Sequence, residues 1–306
     1  MKDVYQISDL NDRAILDKGS DKLARLAVIG NPVAHSASPA MHQAALDARG
    51  MDMRYIRLEV QPGEVAKAFK RMKELGFIGC NITVPHKLEA KECCDTLSED
   101  ARAVGVVNTV SFISNDASIT GHNTDGSGLA RAIHEDFNTQ LEDLRVMIVG
   151  VGGGAGKAIA TQCYRLGCPR VWLVNRTIEK AQTLANHLRA SGEFSSQSKL
   201  QAMSTSDSLL DDAAKQSDLI INATSLGMKP EDPLPIHPTM LLSKHMVYDA
   251  IYKPAETALL KEAKNLGAET SNGLSMLLHQ GVLAFKYWFP RELPTTEMYE
   301  GLKSSL

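Results

Sequence analysis

The sequence lacks an excess of charge of either sign and lacks long hydrophobic runs. Its formal net charge is −3 over 306 residues and no long run of one charge occurs, so it has no basic field for nucleic acid or anionic lipid. It contains no apolar run of roughly 18 residues, and its charged N-terminal segment lacks the apolar region of a signal peptide. We therefore expect a cytoplasmic protein that binds small molecules or proteins, with no nucleic-acid or membrane partner.

Cysteine is scarce, and its spacing does not suit a metal or redox site. The five cysteines are odd in number and none belongs to a C-x-x-C pair. We interpret them as reduced structural thiols and expect no metal site. No repeat of short period is present either.

Short β-branched runs alternate with stretches of helical period, which is typical of an α/β protein with mostly parallel sheets. A first series of strands and helices begins near residue 25, and a second begins near residue 145. The length suits two ordinary domains, and we place the boundary near residues 122–128. The apolar pattern at 272–289 predicts a long helix with no strand after it, which we expect to pack back on the first domain.

The segment "VMIVGVGGGAGKAIA" places a strand before, and a helix after, a glycine-rich turn. Bare backbone at such a turn can approach a pyrophosphate, and the helix N-terminus attracts it. The glycines concerned are Gly150, Gly152, Gly153, Gly154 and Gly156. This pattern predicts a Rossmann dinucleotide site.

The next strand ends in "VNRT", where an NAD-binding protein usually has an acidic residue for the ribose 2′-hydroxyl. Here the strand end carries Asn175, Arg176 and Thr177, and an arginine fork suits a 2′-phosphate. Lys180 would reinforce that charge. The pattern favours NADP, while Glu179 leaves NAD open.

A lysine in "NITVPHKLEAK" is placed unusually for a surface residue. Pro85 suits the first position of a helix, so Lys87 would lie in the first turn, where a cation is disfavoured. Its helical neighbours, Ala90 and Lys91, offer no carboxylate. An exposed lysine is one interpretation. The other is a lysine that exchanges a proton with an anionic group or developing alkoxide, with Asp125 of "NTDGSG" as partner unless that aspartate merely caps a helix.

Two serines precede a helix in "GNPVAHSASPAMH". Extended backbone would send Ser36 and Ser38 to the same side, and Pro39 would begin a helix whose free amides point there. Together these groups would form a receptor for a small carboxylate, although Ser38 could simply cap the helix. Asn108 of "GVVNTV", at a strand start, could bind ligand or cap a turn.

As a set, these segments resemble the shikimate dehydrogenase family, whose members reduce 3-dehydroshikimate with NADPH in aromatic amino-acid biosynthesis. They follow the family's order and span about residues 26–290. The matching segments are "GNPVAHSASP", "NITVPHK", "VVNTV", "NTDGSG", "VGVGGGAG", "VNRT", "INATSLGM" and "NGLSMLLHQGVLAF".

The resemblance implies a role for each candidate residue. Lys87 and Asp125 would form the catalytic pair, and Ser36 and Ser38 would bind the substrate carboxylate. Ring hydroxyls would be held by Thr83, Asn108, Asp125 and Gln280. Tyr252 would approach the substrate from the cofactor domain. NADP would be bound by Gly150, Gly152, Gly153, Gly154, Asn175, Arg176 and Thr177.

The resemblance also implies two α/β domains. Residues 1–124 and 273–306 would form the substrate-binding domain, and residues 125–272 the NADP-binding Rossmann domain. Ala37 and Ser275 depart from residues frequent in the family, and Ser275 would add a polar group near the cleft. Residues 1–25 match no motif that we can assign. A monomer or a homodimer is compatible with the sequence.

Three alternatives stay open at this stage. The first is a quinate or quinate/shikimate dehydrogenase that uses NAD, because one extra ring hydroxyl changes few contacts. The second is a catalytically silent paralogue that binds shikimate-like ligands, against which the intact Lys87 and Asp125 argue. The third, a Rossmann oxidoreductase acting on an unrelated alcohol, explains only the middle third of the chain.

Overall fold

The computed structural model describes residues 2–113, 118–190, 198–291 and 293–306. The chain divides into two compact units, residues 1–124 with 280–306 and residues 125–279. Both are α/β, in agreement with the predicted fold class. The second unit continues to residue 279, beyond the expected 272, because the first turns of the following helix pack with its core through Met276.

The first unit is built on a seven-stranded sheet. In chain order its strands are β1 (Tyr5–Gln6), β2 (Leu23–Gly30), β3 (Met53–Glu59), β4 (Gly79–Ile82), β5 (Thr96–Leu97), β6 (Thr109–Ser111) and β7 (Thr120–His122). Their spatial order is β1-β3-β2-β4-β6-β7-β5. Among the described residues, only the pairs β4–β6 and β6–β7 are antiparallel, so the sheet is mostly parallel, as predicted.

Five helices connect these strands: α1 (Arg13–Leu16), α2 (Ser38–Ala48), α3 (Val65–Glu74), α4 (Lys87–Glu92) and α5 (Glu99–Val104). Helix α3 buries Val65, Ala68, Phe69 and Met72, the spacing that places side chains on one helical face. Glu89 of α4 accepts the Val65 amide at 2.9 Å, which satisfies an otherwise unpaired donor at the start of α3.

The N-terminal segment, which the sequence left unassigned, is part of this unit. Strand β1 pairs in parallel with β3 at one edge of the sheet. Arg54 of β3 donates to the hydroxyl of Tyr5 at 3.0 Å and to Asp17 Oδ1 at 2.8 Å, and it is itself buried. Leu16, which lies between Tyr5 and Asp17 along the chain, is fully buried. Residues before 25 therefore complete the first unit.

The second unit contains a six-stranded, fully parallel sheet. Its strands are β8 (Arg145–Val149), β9 (Arg170–Asn175), β10 (Lys199–Ser204), β11 (Leu219–Asn222), β12 (Met246–Asp249) and β13 (Glu269–Asn272). The spatial order β10-β9-β8-β11-β12-β13 is that of a dinucleotide-binding Rossmann sheet, with its switch point between β8 and β11.

Helices pack on both faces of this sheet. They are α6 (Asp125–Phe137), α7 (Gly154–Leu166), α8 (Ile178–Ala190), α9 (Leu210–Gln216), α10 (Ala258–Asn265) and α11 (Leu274–Trp288), and the chain ends with α12 (Thr295–Lys303) in the first unit. Along β8, Val146 and Ile148 enter one core while Met147 and Val149 enter the other. Both faces of the strand are therefore apolar, as a sheet covered on two sides requires.

The five cysteines are all unpaired, and burial raises the pKa of the Cys80 and Cys163 thiols. For Cys163, a hydrogen bond with Cys168 acts ahead of burial in the same direction. Among the described residues, no helix is long and apolar enough to cross a membrane.

Candidate active site

A glycine-rich loop joins β8 to α7 in the second unit. Gly150 has a φ of +100°, and a Cβ added there would lie 2.9 Å from the backbone nitrogen of Thr224. A Cβ on Gly156 would overlap the carbonyl oxygen of Gly150. The fold itself therefore excludes side chains at both positions, and the loop stays close to the sheet.

The N-terminus of α7 is suited to an anion. Its N-cap residue is Gly153, which has no side chain that could accept from the first amides of this 13-residue helix. Unpaired amides and the helix dipole together favour negative charge at that end. A cradle of bare backbone facing these amides fits the pyrophosphate of a dinucleotide.

The end of β9 borders the same loop. Asn175 Oδ1 accepts the Gly152 amide at 3.1 Å, and its Nδ2 donates to the carbonyl of Thr177 at 2.9 Å, so its side chain orders both segments. Arg176 is exposed. A Cβ on Gly152 would lie 2.9 Å from Cδ of Lys180, so the lysine stem crosses the loop. Two cations thus flank this strand end, which suits a 2′-phosphate.

In the first unit, two loops at the carboxyl ends of β2 and β4 are joined by backbone hydrogen bonds. The amide of Asn31 donates to the carbonyl of Val84 at 3.1 Å, and the amide of Thr83 donates to Ile29 at 2.8 Å. A Cβ on Gly30 would overlap the methyl group of Thr83. The loop after β2 carries the candidate serines and the loop after β4 precedes the candidate lysine, so the fold brings these elements together.

Lys87 begins α4, which corrects one prediction. Pro85 is not the first helical residue: residues 84–86 form a turn, and the helix starts two positions later. Buried His86 holds that turn, because its Nε2 lies 2.8 Å from the carbonyl oxygen of Val60. Lys87 remains in the first turn as expected, and its carbonyl accepts the Val107 amide at 3.0 Å.

The serine segment also differs from the prediction. The backbone between the serines is not extended, since Ala37 has φ −85° and ψ −8°, and α2 starts at Ser38 rather than at Pro39. A turn closed by the Ser36 amide and the Val33 carbonyl directs the chain instead. The Ser38 amide donates to Ser36 Oγ at 3.3 Å, so the two serines still adjoin.

Asn108 is 2% exposed, and its side-chain amide is hydrogen-bonded to Thr124 and accepts the Thr109 hydroxyl at 3.1 Å. Its Nδ2 donates to Thr124 Oγ1 at 2.9 Å, and its Oδ1 accepts the Thr124 amide at 2.9 Å. Its backbone carbonyl accepts the Ile82 amide at 2.8 Å, which links it to β4. Asn108 therefore has a fixed orientation beside the strand that leads to Lys87.

Asp125 is the first residue of α6, belongs to the second unit and is buried. A Cβ on the following Gly126 would lie 2.9 Å from the carbonyl oxygen of Ala158, so α6 packs closely against α7. Lys87 and Asp125 lie in different units, and their pairing stays a prediction.

Tyr252 follows β12 in a loop anchored by a carboxylate that sequence reasoning missed. Fully buried Asp249 accepts the Thr257 hydroxyl at 2.7 Å and the Ile251 amide at 3.0 Å. Burial raises the pKa of the Asp249 carboxyl. Tyr252 itself is half-buried. The "YDAIYKP" segment contained the signal, because an aspartate ending an apolar strand needs hydrogen-bond partners.

Gln280 and Ser275 both lie on α11 but in different units. Gln280 is 9% exposed in the first unit, where a Cβ on the adjacent Gly281 would overlap the side chain of Met41 in α2. In the second unit, Ser275 Oγ donates to Asp136 Oδ2 at 2.6 Å. The extra hydroxyl of Ser275 is thus satisfied within its own unit.

Comparison with known proteins assigns this architecture to one family. Three family models match: "Shikimate dehydrogenase substrate binding domain" over residues 28–110, "Shikimate / quinate 5-dehydrogenase" over residues 129–232, and "Shikimate 5'-dehydrogenase C-terminal domain" over residues 273–303. The chain is 37% identical over 275 residues to the shikimate dehydrogenase (NADP(+)) of Symbiobacterium thermophilum, covering 89% of this chain and 91% of that one. The chain belongs to the shikimate dehydrogenase family.

Solved structures of shikimate dehydrogenase relatives share the fold. The enzyme from Thermus thermophilus, solved with NADP(H) and shikimate, is 30% identical to this chain with a TM-score of 0.80. The match covers 93% of this chain and 100% of that chain. The quinate dehydrogenase from Corynebacterium glutamicum, solved with NAD, is 32% identical with a TM-score of 0.81, covering 91% and 98%. Relatives of this chain thus include a shikimate dehydrogenase solved with NADP(H) and a quinate dehydrogenase solved with NAD.

Proposed function

We propose that the protein catalyses the reversible NADPH-dependent reduction of 3-dehydroshikimate to shikimate. One observation carries this proposal: the loops that follow the carboxyl ends of β2 and β4 are hydrogen-bonded to each other through Asn31 and Val84. That contact brings the segment with Ser36 and Ser38 and the turn before Lys87 to the same end of the sheet, which supports a receptor for a small carboxylate beside a lysine that exchanges a proton. Ligands of open α/β sheets bind at such carboxyl ends.

Each candidate residue has a role in substrate binding. The Ser36 and Ser38 hydroxyls bind the ring carboxylate, and Tyr252 approaches the substrate from the second unit. Side chains with hydroxyl, amide or carboxylate groups hold the ring hydroxyls: Thr83, Asn108, Asp125 and Gln280. These contacts orient the ring so that the carbonyl to be reduced faces the proton donor.

Lys87 and Asp125 perform the proton transfer. When bound, NADPH supplies the hydride that reduces the carbonyl carbon. Lys87 Nζ donates a proton to the oxygen as negative charge develops on it, and in the reverse direction it takes the hydroxyl proton back. Asp125 orients the lysine and the substrate hydroxyl. A positioned acid of this kind contributes about 10²- to 10⁴-fold in rate.

The cofactor is NADP(H). Bare backbone at Gly150, Gly152, Gly153 and Gly154 receives the pyrophosphate, and Asn175 and Thr177 border the adenosine end. Exposed Arg176 binds the 2′-phosphate, with Lys180 beside it. This cationic strand end is where an NAD enzyme has a carboxylate.

A quinate dehydrogenase that uses NAD is the second candidate. Glu179 is exposed two residues after Thr177 and could accept hydrogen bonds from a ribose hydroxyl. The similarity to the quinate dehydrogenase of Corynebacterium glutamicum, which was solved with NAD, supports this second candidate.

A steady-state matrix of shikimate and quinate against NADP⁺ and NAD⁺, followed by absorbance of the reduced nicotinamide, tests both. We expect the highest kcat/KM for shikimate with NADP⁺. Higher kcat/KM for quinate with NAD⁺ would establish the second candidate. Binding of shikimate without turnover in any combination would contradict both and indicate a silent shikimate-binding protein.

We also propose a cytoplasmic location and a monomeric or homodimeric state. Five unpaired cysteines suit a reducing compartment. Cell fractionation and light scattering of the purified protein test these two statements.

A further inference from the structure

Arg57 contacts the loop that carries the two serines. It lies near the carboxyl end of β3, where Nε and Nη2 donate to the backbone carbonyl oxygen of Ser36 at 3.1 and 2.8 Å. Two donors of one rigid guanidinium on one oxygen fix the position of that peptide group. Sequence reasoning gave no role to this arginine.

The side chain of Arg57 points to the α2 side of the sheet. Successive residues of a strand face opposite sides, so Arg57 shares a face with Tyr55. The ring of Tyr55 stacks on His42 of α2, with centroids 4.6 Å apart. Because α2 begins at Ser38, the guanidinium lies on the same side as the candidate carboxylate receptor.

Apart from His35, which is charged only when protonated, the serine segment has no cationic side chain of its own. Residues 31–38 read "NPVAHSAS" and contain no lysine or arginine. Ser38 is 6% exposed and its amide already donates to Ser36 Oγ. A carboxylate placed on two neutral hydroxyls loses hydration that they replace only in part. The permanent positive charge of Arg57, which is hydrogen-bonded to the Ser36 peptide group, would offset that loss.

We propose that Arg57 is a specificity-determining residue, which fixes the Ser36 peptide and places a positive charge beside the serine hydroxyls. The charge selects a substrate with a carboxylate over one with a neutral group at that position. This inference rests on the proposed function, which assigns the substrate carboxylate to these serines. The hydrogen bonds to Ser36 engage Nε and Nη2, and among the described residues Nη1 has no hydrogen-bond partner.

A neutral substrate analogue separates selection by charge from mere support of the loop. Methyl shikimate has the ring and hydroxyls of shikimate but no negative charge. If Arg57 only held the loop, its loss would impair turnover of the acid and the ester equally. If its charge selects the carboxylate, its loss impairs the acid alone.

The experiment measures kcat/KM with NADP⁺ for shikimate and methyl shikimate in wild type, Arg57→Gln and Arg57→Lys. We expect Arg57→Gln to lower the acid-to-ester ratio at least about tenfold, mainly through KM for shikimate, the size expected for a hydrogen-bonding network to a charged group. Arg57→Lys should retain most of the ratio because it retains the charge. Arg71→Gln, which removes an exposed charge paired with Glu74, is the matched control and should leave the ratio unchanged.

An unchanged acid-to-ester ratio in Arg57→Gln, whether or not kcat/KM falls equally on both substrates, would overturn the inference. A ratio lost equally in Arg57→Lys and Arg57→Gln would overturn the part played by charge. Arg57→Met, which keeps the aliphatic stem, replaces Arg57→Gln if the latter does not melt cooperatively. Wild type is assayed first: failure to oxidise shikimate would contradict the proposed function, whereas turnover with an unaltered ratio contradicts the role of Arg57 alone.

Discussion

Asn108 and Thr124 form a reciprocal pair inside the first unit. The Asn108 side chain accepts the Thr124 amide and donates to its hydroxyl, each at 2.9 Å. Thr124 is buried and immediately precedes Asp125. One asparagine therefore sets the backbone that leads into the proposed catalytic carboxylate, and it has its own proposed contact with a ring hydroxyl.

Replacing Asn108 by alanine should impair both stability and catalysis. The Thr124 amide and hydroxyl lose their buried partner, which costs about 1–3 kcal/mol of unfolding free energy. Urea unfolding measures this loss, and kcat/KM for shikimate should fall as well. Asn186→Ala, at an exposed position in α8, is the control. Stability equal to wild type would show that the pair contributes nothing.

Replacing Lys87 by alanine should lower kcat by at least about 10²-fold, because the proton donor is lost. Binding of NADPH, measured by fluorescence titration, should survive because the glycine loop belongs to the other unit. Lys91→Ala, one turn along the same helix, is the matched control and should stay close to wild type. Near-wild-type turnover in Lys87→Ala would remove this lysine from the mechanism.

The Rossmann unit was the most predictable part from sequence. Buried parallel strands such as "RVMIVG" and "RVWLVN" are apolar on both faces, and glycines mark the turn where backbone must pass close to backbone. Gly150 illustrates this, since its φ of +100° is rarely adopted by any other residue. Local pattern and tertiary structure agree there.

Other features depend on contacts that are distant in the sequence. Two-residue β1 has no periodicity to detect, and it forms because β3 offers an open edge and Arg54 binds across it. The helix after Pro85 starts late because His86 is held by Val60, more than 20 residues away in sequence. Arg57 looked like an ordinary strand residue, and its partner is a carbonyl group, which has no sequence signature.

Replacing Arg176 by glutamine should weaken selection for NADP⁺ over NAD⁺. Loss of the guanidinium should raise KM for NADP⁺ at least about tenfold, as expected when a charge-assisted contact is removed, and leave KM for NAD⁺ nearly unchanged. Lys215→Gln, which removes another exposed charge of the same unit, is the control. A parallel rise of KM for both cofactors would argue against a contact with the 2′-phosphate.

Replacing Arg54 by alanine should release the N-terminal segment. Arg54 and Asp17 form a largely buried ion pair at 2.8 Å, with side chains 10% and 11% exposed, and removal of one partner of such a pair costs about 3–5 kcal/mol. Limited proteolysis should then cut before residue 25, and the urea midpoint should fall. Arg71→Ala is the exposed control. Unchanged protease resistance would show that β1 is held by other contacts.

His42 should make the first unit sensitive to acid. Its ring is fully buried and stacks on Tyr55, and burial lowers its pKa to about 3, although a polar contact with Asn81 acts in the opposite direction. The unfolded chain takes up this proton below about pH 6.5, whereas the folded protein does not, so stability falls as pH decreases from 6.5 towards 3.

Within that window one extra proton in the unfolded state corresponds to about 1.4 kcal/mol per pH unit. His42→Phe keeps an aromatic ring between Tyr55 and Phe285 and removes the titrating group. We expect its unfolding free energy to fall less steeply than that of wild type between pH 6.5 and 5. His122, whose pKa burial lowers to about 4, remains in both proteins and cancels in the comparison. Identical slopes in urea unfolding across this range would show that His42 takes up no proton on unfolding.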